Sequence, residues 1–229
     1  MPIRRLPITL TVLILVGAAL AGCGGDTEAT TTSAAPTTSS TAAPTTVTAA
    51  ATTTAPPSIL TIAAPAFEDG SGIPVAHTCV LDNASPEITW TGVPAGTAAL
   101  ALTVVDPDAE DFVHWVIWSI PPEATGLPAD LPGDPDLPGG ARQALNDFAA
   151  FVEPGEPGPG GVPFKTIGYD GPCPGTVHHY VFTLYALAGD IDLPGGSAGA
   201  DVVAAIEAAR ADGSLLAEAA LTGLFGPNE

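Results

Sequence analysis

Three apolar runs constrain the fold of this chain more than any other sequence feature. Each is bounded by turn-forming residues and is rich in β-branched or aromatic side chains: Ala98–Val105, Phe112–Ile120 and Val177–Leu187. Such runs predict strands, and the first, which is almost entirely apolar, is predicted to be buried on both faces. Shorter strands are predicted near Ile59–Ala63, Phe67 and Ile88–Trp90. The pattern therefore indicates a fold made mostly of strands and turns.

Helical structure is predicted only near the C-terminus. Residues Asp201–Ala211 place Val202 and Ile206 on one face, and Gly213 follows as a residue that can end a helix. A second, short helical turn is predicted over Leu215–Leu221. We expect both to be packing elements.

Long connections rich in glycine and proline lie between Pro121 and Pro174. Connections of this kind are usually functional or mobile loops. The stretch Glu153–Gly161 has a low-complexity Pro/Gly composition and is predicted to be a flexible insertion.

The N-terminus carries the pattern of an export signal. Arg4 and Arg5 precede an apolar run, Leu6–Leu20, that is short for a bilayer span and is followed by small residues. The sequence Leu-Ala-Gly-Cys at residues 20–23 resembles the lipobox of bacterial lipoproteins, in which the peptide is cut before a diacylated cysteine. We expect residues 1–22 to be a signal peptide and Cys23 to be lipidated. A plain secretory signal with an incidental cysteine is the alternative.

Residues 23–57 are dominated by Thr, Ala, Ser and Pro and have no apolar periodicity. A stretch of this composition cannot bury enough surface to offset the entropy of ordering its backbone. We predict a disordered tether that holds a single domain, residues 58–229, away from the membrane. The predicted location is the bacterial cell envelope, facing outside the cytoplasm.

Charge excludes one class of function. The chain has 25 acidic residues against 5 lysines and arginines, and only Arg142, Lys165 and Arg210 remain once the signal peptide is removed. A protein that follows a nucleic-acid backbone needs many cations, so no nucleic-acid partner is expected. Electrostatic docking on anionic lipid is disfavoured for the same reason.

The cysteines predict one covalent link. With Cys23 lipidated, Cys79 and Cys173 remain, and an even pair in an oxidising compartment indicates a disulfide. Two buried thiols are the alternative. Neither cysteine has a second cysteine nearby, so we expect no metal site, and no motif indicates a cofactor.

Alternation along the strands groups the polar residues. His178 and Tyr180 share one face with Phe182, whereas His179 points the other way. His114 is expected on the face of Phe112, Val116 and Trp118. Asp106 and Asp108 end the strand before, so adjacent strand ends would bring together two carboxylates, two imidazoles and a phenol. His114 as an ordinary core histidine is the competing interpretation.

Several ordered motifs resemble the phosphatidylethanolamine-binding protein family, in its bacterial Raf-kinase-inhibitor-like branch. The segments are Ser85–Trp90, Val93–Thr97, Asp106–Ala109 with His114–Trp115 and Ile120–Pro121, Asn146–Phe148, Gly168–Pro174, and His178–Tyr180 with Tyr185–Leu187. The similarity extends from about Phe67 to the C-terminus. Two departures concern the pocket rim: His179 stands where the family usually has Arg, and the loop between Pro174 and His178 is short.

The resemblance implies a β-rich α+β fold with a large antiparallel sheet, a smaller sheet and C-terminal helical elements. It also implies a surface pocket for a small anion such as phosphate or the phosphoethanolamine headgroup of a phospholipid. The ligand-binding residues carried over by position are Asp106, Asp108, His114, His178 and Tyr180. Imidazoles can donate to phosphate oxygens while a carboxylate holds their other nitrogen, and loop N–H groups between Gly168 and Gly175 are expected to add donors.

Two other functions stay open at this point. One is regulation of an envelope protease or kinase through a protein surface, as in some relatives. The other is weak hydrolase or lyase activity on a phosphorylated small molecule, since Asp and His together can perform acid–base chemistry. The chain has no Gly-x-Ser-x-Gly elbow and no zincin helix, so we expect no enzyme.

Overall fold

The computed structural model describes residues 59–227, and the predicted signal peptide, Cys23 and the tether lie outside this range. The regular elements, in chain order, are β1 (Thr61–Ala63), β2 (Ser71–Gly72), β3 (Ile88–Thr91), β4 (Ala99–Asp106), β5 (Phe112–Ile120), β6 (Gly126–Leu127), β7 (Arg142–Gln143), β8 (His178–Leu187), α1 (Gly199–Asp212) and β9 (Leu215–Phe225). Short 3₁₀ turns follow β2 and β4 and precede Phe151.

The strands form two sheets of unequal size. The large sheet has the order β2-β9-β8-β4-β5-β7 and is antiparallel except for the two-residue pairing of β2 with β9. The small sheet has the order β1-β3-β6 and is antiparallel. The β-rich α+β fold predicted from the sequence is confirmed.

The large sheet is a middle layer with an apolar core on each face. One core lies between the two sheets and includes Leu102 and Phe182 of the large sheet and Ile88 of the small one. The other lies under α1 and includes Trp118 and Ile206. Strand β4 contributes to both cores and is buried along nearly its whole length, which explains why it lacks the alternation of a half-exposed strand.

Strand β5 contains a bulge that changes which side chains share a face. Val104 pairs with Trp115 and the next residue, Val105, pairs with Val113, so His114 is an extra residue without a partner on β4. After the bulge the alternation is reversed. The prediction that His114 shares a face with Val116 and Trp118 is therefore wrong, because both of those side chains lie in the core under α1.

The C-terminal helix is close to its prediction, but the element after it is not. Helix α1 ends at Asp212, and the capping residue that follows, Gly213, has a φ of 84° in the left-handed region. The helical turn predicted over Leu215–Leu221 is wrong, since residues Leu215–Phe225 form β9 and pair along the full length of β8. Alanine-rich segments favour helices in isolation, but tertiary pairing and burial of Leu221 and Phe225 override that preference here.

The segment predicted to be a flexible insertion has defined hydrogen bonds. Gly155 N–H donates to the Phe164 carbonyl at 3.0 Å, and Phe164 N–H donates to the Glu156 carbonyl at 2.9 Å. Gly158 and Val162 add a further bond, so residues 155–164 form an irregular hairpin. Within residues 59–227, no helix has both the length and the apolar character needed to cross a bilayer.

The predicted disulfide is present. Cys79 and Cys173, 94 residues apart, are bonded with their Cα atoms 5.5 Å apart. The bond joins the loop after β2 to the loop before β8. It therefore connects two irregular segments that no strand pairing holds together.

Candidate functional site

A cavity of about 170 Å³ lies where β4 ends and where β5 and β8 begin. These three strand ends meet because β4 is antiparallel to both of its neighbours. The lining is apolar except for four side chains, and consists of Asp106, Ala109, Phe112, His114, Phe148, Cys173, Pro174, His178 and Tyr180. Four of the five predicted ligand-binding residues therefore converge on one cavity.

Asp106 and His178 form a pair in the cavity wall. The Asp106 side chain is buried and its Oδ2 lies 2.7 Å from His178 Nδ1. Asp106 Oδ1 accepts the Asp108 backbone N–H at 2.9 Å, which orients the carboxylate. The remaining ring nitrogen of His178, Nε2, has no hydrogen-bond partner among the described residues. The carboxylate thus fixes the imidazole so that Nε2 is available to a ligand.

His114 is held differently, by a backbone carbonyl. Its Nδ1 lies 2.7 Å from the Asp170 carbonyl oxygen, which can only accept, so Nδ1 carries the hydrogen. Burial lowers the pKa of His114 to about 4, and the Asp170 carbonyl opposes that shift only in part. At neutral pH the ring is uncharged and Nε2 is an acceptor. His114 therefore complements a hydrogen-bond donor on the ligand.

Aromatic rings surround His114. Its ring centroid lies 5.1 Å from Phe112, 5.4 Å from Phe148 and 5.1 Å from Tyr180. Burial raises the pKa of the Tyr180 hydroxyl, and the nearby Asp106 carboxylate raises it further. Tyr180 is consequently protonated over the physiological range and offers a hydroxyl hydrogen at the cavity.

Asp108 is the one predicted site residue that does not line the cavity. Its Oδ2 accepts both the backbone N–H and, at 2.8 Å, the Nδ1 of His179. The His179 backbone bond, followed by its side chain, lowers the pKa of Asp108. This second Asp–His pair is exposed and faces away from the pocket, as expected for a residue on the opposite face of β8 from His178.

A buried polar network around Asp170 supports the part of the cavity wall that contains His114. Its carboxylate accepts from Asn83 Nδ2 at 2.9 Å and from the Lys165 backbone N–H at 2.5 Å. Burial raises the pKa of Asp170 to about 6, against the effect of these donors. Asn83 also accepts the Gly171 N–H at 2.7 Å. The network fixes the carbonyl that in turn fixes His114.

Three of the loop N–H groups expected to face a ligand donate instead to acceptors within the protein. Gly168 donates to the Ala144 carbonyl, Asp170 to the His114 carbonyl and Gly171 to Asn83. The loop instead contributes Cys173 and Pro174 to the wall. Among residues 59–227, no lysine or arginine lines the cavity, so imidazole is the only side chain of this part of the chain that can become cationic there.

Sequence reasoning missed the apolar part of the site. Phe112, Phe148 and Ala109 line the cavity, yet an apolar side chain on a strand or turn carries no signal that separates pocket from core. The role of the Asp170 carbonyl is also invisible in the sequence, because backbone acceptors are common to all residues. Among residues 59–227, no three His, Cys, Asp or Glu side chains are grouped as a metal site would require.

Comparison with known proteins identifies relatives along most of the chain. Residues 63–226 match the family model described as phosphatidylethanolamine-binding protein. A UPF0098 protein of Methanothermobacter thermautotrophicus is 40% identical over 169 residues, which are 72% of this chain and 98% of that protein. A Mycobacterium tuberculosis protein named "Putative lipoprotein LppC" is 38% identical over 238 residues, covering 97% of each chain.

Two solved structures share the fold. Escherichia coli YbcL superposes with a TM-score of 0.59 at 29% identity, covering 74% of this chain and 99% of YbcL. Chlamydia trachomatis CT736 superposes with a TM-score of 0.58 at 27% identity, covering 75% of this chain and 99% of CT736. Each match therefore covers nearly the whole of the solved chain.

Proposed function

Because the chain belongs to the phosphatidylethanolamine-binding protein family, we propose that its cavity binds a small phosphorylated group such as phosphate or a phosphoethanolamine headgroup. The observation that carries the proposal is the convergence of Asp106, His114, His178 and Tyr180 on one small cavity. The function proposed is binding, with no chemical step assigned to these residues.

The polar groups complement a zwitterion. Tyr180 donates through its hydroxyl, and His178, whose Nδ1 is held by Asp106, presents Nε2 to a phosphate oxygen. His114 accepts through Nε2, which suits a protonated phosphate oxygen or an ammonium group. The Asp106 carboxylate and the faces of Phe112 and Phe148 also favour an ammonium group nearby. One cavity can therefore meet both charges of phosphoethanolamine.

Titration of phosphoethanolamine by calorimetry tests this assignment. His178→Ala removes the paired imidazole, and we expect its affinity for phosphoethanolamine to fall at least tenfold, because hydrogen bonds to charged groups contribute about 1.5–3 kcal/mol. His179→Ala is the matched control, since the neighbouring imidazole pairs with Asp108 away from the cavity. Equal affinities for wild type and His178→Ala would remove His178 from the site.

We further propose that the protein is anchored in the cell envelope through a lipid on Cys23. The similarity to the protein named as a lipoprotein covers 97% of this chain, whereas the similarity to the Methanothermobacter protein covers 72%. The longer match includes the region of the lipobox-like sequence. Two or more acyl chains on one cysteine make a stable anchor, because each buried methylene contributes roughly 0.8 kcal/mol.

A further inference from the structure

The long strand β9 leaves part of its outer edge unpaired. Its outer neighbour in the large sheet, β2, is only two residues long and pairs with Gly223 and Leu224 alone. Among residues 59–227, no strand lies on that side of β9 from Leu215 to Leu221. An open strand edge offers backbone donors and acceptors to another chain.

Hydrogen bonds at Thr222 show which residues of β9 face this edge. The Thr222 N–H donates to Asp69 Oδ1 at 2.8 Å, and the Thr222 carbonyl accepts the Gly70 N–H at 2.7 Å. The backbone groups of successive strand residues point to alternate sides, so those of Glu218 and Ala220 point outward as well. Within residues 59–227, these four N–H and C=O groups have no hydrogen-bond partner.

The opposite edge of the same sheet is covered by loops. At β7, the Gln143 N–H donates to the Pro135 carbonyl, and the Gln143 carbonyl accepts the Gly196 N–H, both at 2.8 Å. The outward backbone groups of that strand are therefore satisfied, in contrast to those of Glu218 and Ala220.

The usual protection of an exposed edge is absent from the open part of β9. Lysine, proline or a bulge commonly blocks such an edge. Strand β9 contains no lysine and no proline, and its bulge lies earlier, at Leu216. The one charged side chain of the strand, Glu218, is bound by Arg210 of α1, whose Nη1 and Nη2 lie 2.9 and 2.5 Å from its carboxylate oxygens. This pair holds the carboxylate towards the helix, so that it does not cover the edge.

The charges around the edge select the chemistry of a partner. Carboxylates lie at both ends of the open segment, with Asp69 beside Thr222 and Asp212 at the end of α1 that leads into β9. Arg210 is already paired with both Glu207 and Glu218. With a formal net charge of −20, the chain repels a second copy of itself and attracts a basic segment.

We propose that the open edge of β9 binds an extended, basic segment of another protein, which adds a strand to the large sheet. Glu218 and Ala220 each offer one N–H and one C=O, so the added strand forms four backbone hydrogen bonds with them. Both side chains are exposed and lie on the α1 face of the sheet. Basic side chains of the added strand lie beside Glu218 on that face. The site is independent of ligand binding in the cavity.

Fluorescence anisotropy with designed peptides tests the proposal. The probe is a fluorescein-labelled peptide, Lys-Val-Lys-Val-Lys-Val-Lys, titrated with the full-length protein. Two matched peptides separate charge from backbone pairing. One has Glu in place of each Lys, and the other is methylated at every backbone nitrogen, which keeps the charge but removes every backbone donor. We expect each to bind about tenfold more weakly than the probe.

Substitutions at one edge residue localise the peptide. Ala220→Pro removes an outward N–H and no bond to β8, a position at which strands tolerate proline, and we expect about a tenfold loss of affinity. Ala220→Lys keeps every backbone group but adds a positive charge at the edge, and we expect about a threefold loss. Ala200→Lys is the control, because it adds the same charge at the opposite end of α1 from Asp212. It should bind the probe as the wild type does.

Each outcome supports or overturns the site. Weaker binding of both matched peptides and of both Ala220 variants, with wild-type affinity in Ala200→Lys, supports it. No binding of the probe, equal binding of the three peptides, or wild-type affinity in Ala220→Lys overturns it, and this last variant decides if Ala220→Pro is unstable. Sedimentation of the protein alone addresses the other occupant. A dimer that is lost in Ala220→Pro would assign the edge to a second copy and overturn the proposed partner.

Discussion

His114 is the extra residue of a β-bulge. A strand residue without a pairing partner can point its side chain into a pocket. His114 lies beside Phe112, as alternation alone predicts, and the bulge reverses the alternation beyond it, so that Trp115 packs in the core between the sheets. Its bond to the Asp170 carbonyl satisfies Nδ1, and burial keeps the ring uncharged. The site thereby has a neutral hydrogen-bond acceptor. As a consequence, the stability of the fold depends on pH.

The lowered pKa of His114, about 4, predicts a loss of stability in mild acid. Between pH 6.5 and 4, His114 binds a proton in the unfolded chain but not in the folded chain. The contribution of His114 to the free energy of unfolding is therefore complete above pH 6.5 and is lost as the pH falls. His114→Asn keeps an N–H donor for the Asp170 carbonyl but does not titrate. From pH 7 to 4.5, we expect the wild type to lose about 2–3 kcal/mol relative to this variant.

Urea denaturation of both proteins at the two pH values measures this difference. The raised pKa of Asp170, about 6, gives an opposite pH dependence, but it is present in both proteins and cancels in the comparison. A difference in unfolding free energy that does not change with pH would show that His114 titrates normally in the folded state.

Tyr180 is predicted to supply the hydroxyl donor of the site. Tyr180→Phe should weaken phosphoethanolamine binding about tenfold, because it removes one hydrogen bond to a charged group and little volume. Tyr185→Phe is the control, since Tyr185 lies on the other face of β8, where its hydroxyl is 3.4 Å from that of Thr103. Equal losses in the two variants, measured by calorimetry, would contradict a specific role for Tyr180.

At the scale of elements, strand order explains why the site is where it is. The ends of β4, β5 and β8 coincide because β4 lies between the other two. The loops at this end are tied by the Asp170 network and by the disulfide. Cys173 and Pro174 follow residues held by Asn83, so covalent and polar restraints together hold the cavity wall.

Removal of the disulfide should cost substantial stability. The bond closes a loop across 94 residues, and the chain-entropy treatment gives about 4–5 kcal/mol for loops of this length. The Cys79→Ala/Cys173→Ala double variant should lose that amount in urea denaturation. Wild-type protein reduced with a dithiol should match it, and a variant as stable as the oxidised wild type would contradict this estimate.

The elements differ in how far the sequence could predict them. Strands β4, β5 and β8 were predictable because each is a long apolar run between turn residues. Strand β9 was not, since Leu215–Leu221 is alanine-rich and only its pairing with β8 decides its conformation. The bulge at His114 was also beyond prediction, because it depends on the register with β4.

The same distinction applies to the site. Asp106, His178 and Tyr180 could be grouped from strand ends and alternation together with the family resemblance. Phe148, Cys173 and Pro174 come from loops whose paths are set by long-range contacts, which no local pattern encodes.

At the scale of the whole molecule, the net charge limits how the domain can meet its partners, and the proposed lipid anchor fits that limit. The formal net charge is −20, which disfavours anionic partners held by electrostatics alone. A binding site for a phosphorylated group must then depend on local donors, the role that we propose for His178 and Tyr180. An attachment to the membrane through lipid does not require surface cations.

The proposed anchor predicts a specific effect of Cys23→Ser. The full-length wild-type protein expressed in bacteria should incorporate labelled palmitate and fractionate with membranes, because acylation at Cys23 adds the apolar surface that holds it there. The variant should incorporate no label. Equal labelling of the two proteins would show either that another residue is acylated or that the protein is not acylated.

The central claim is that one cavity takes the phosphorylated headgroup. A crystal structure of residues 58–229 with phosphoethanolamine at saturating concentration tests it most directly. The account predicts phosphorus density in the cavity, with phosphate oxygens within hydrogen-bond distance of His178 Nε2 and the Tyr180 hydroxyl. A cavity without ligand at saturation, or ligand bound only at another surface, would contradict it.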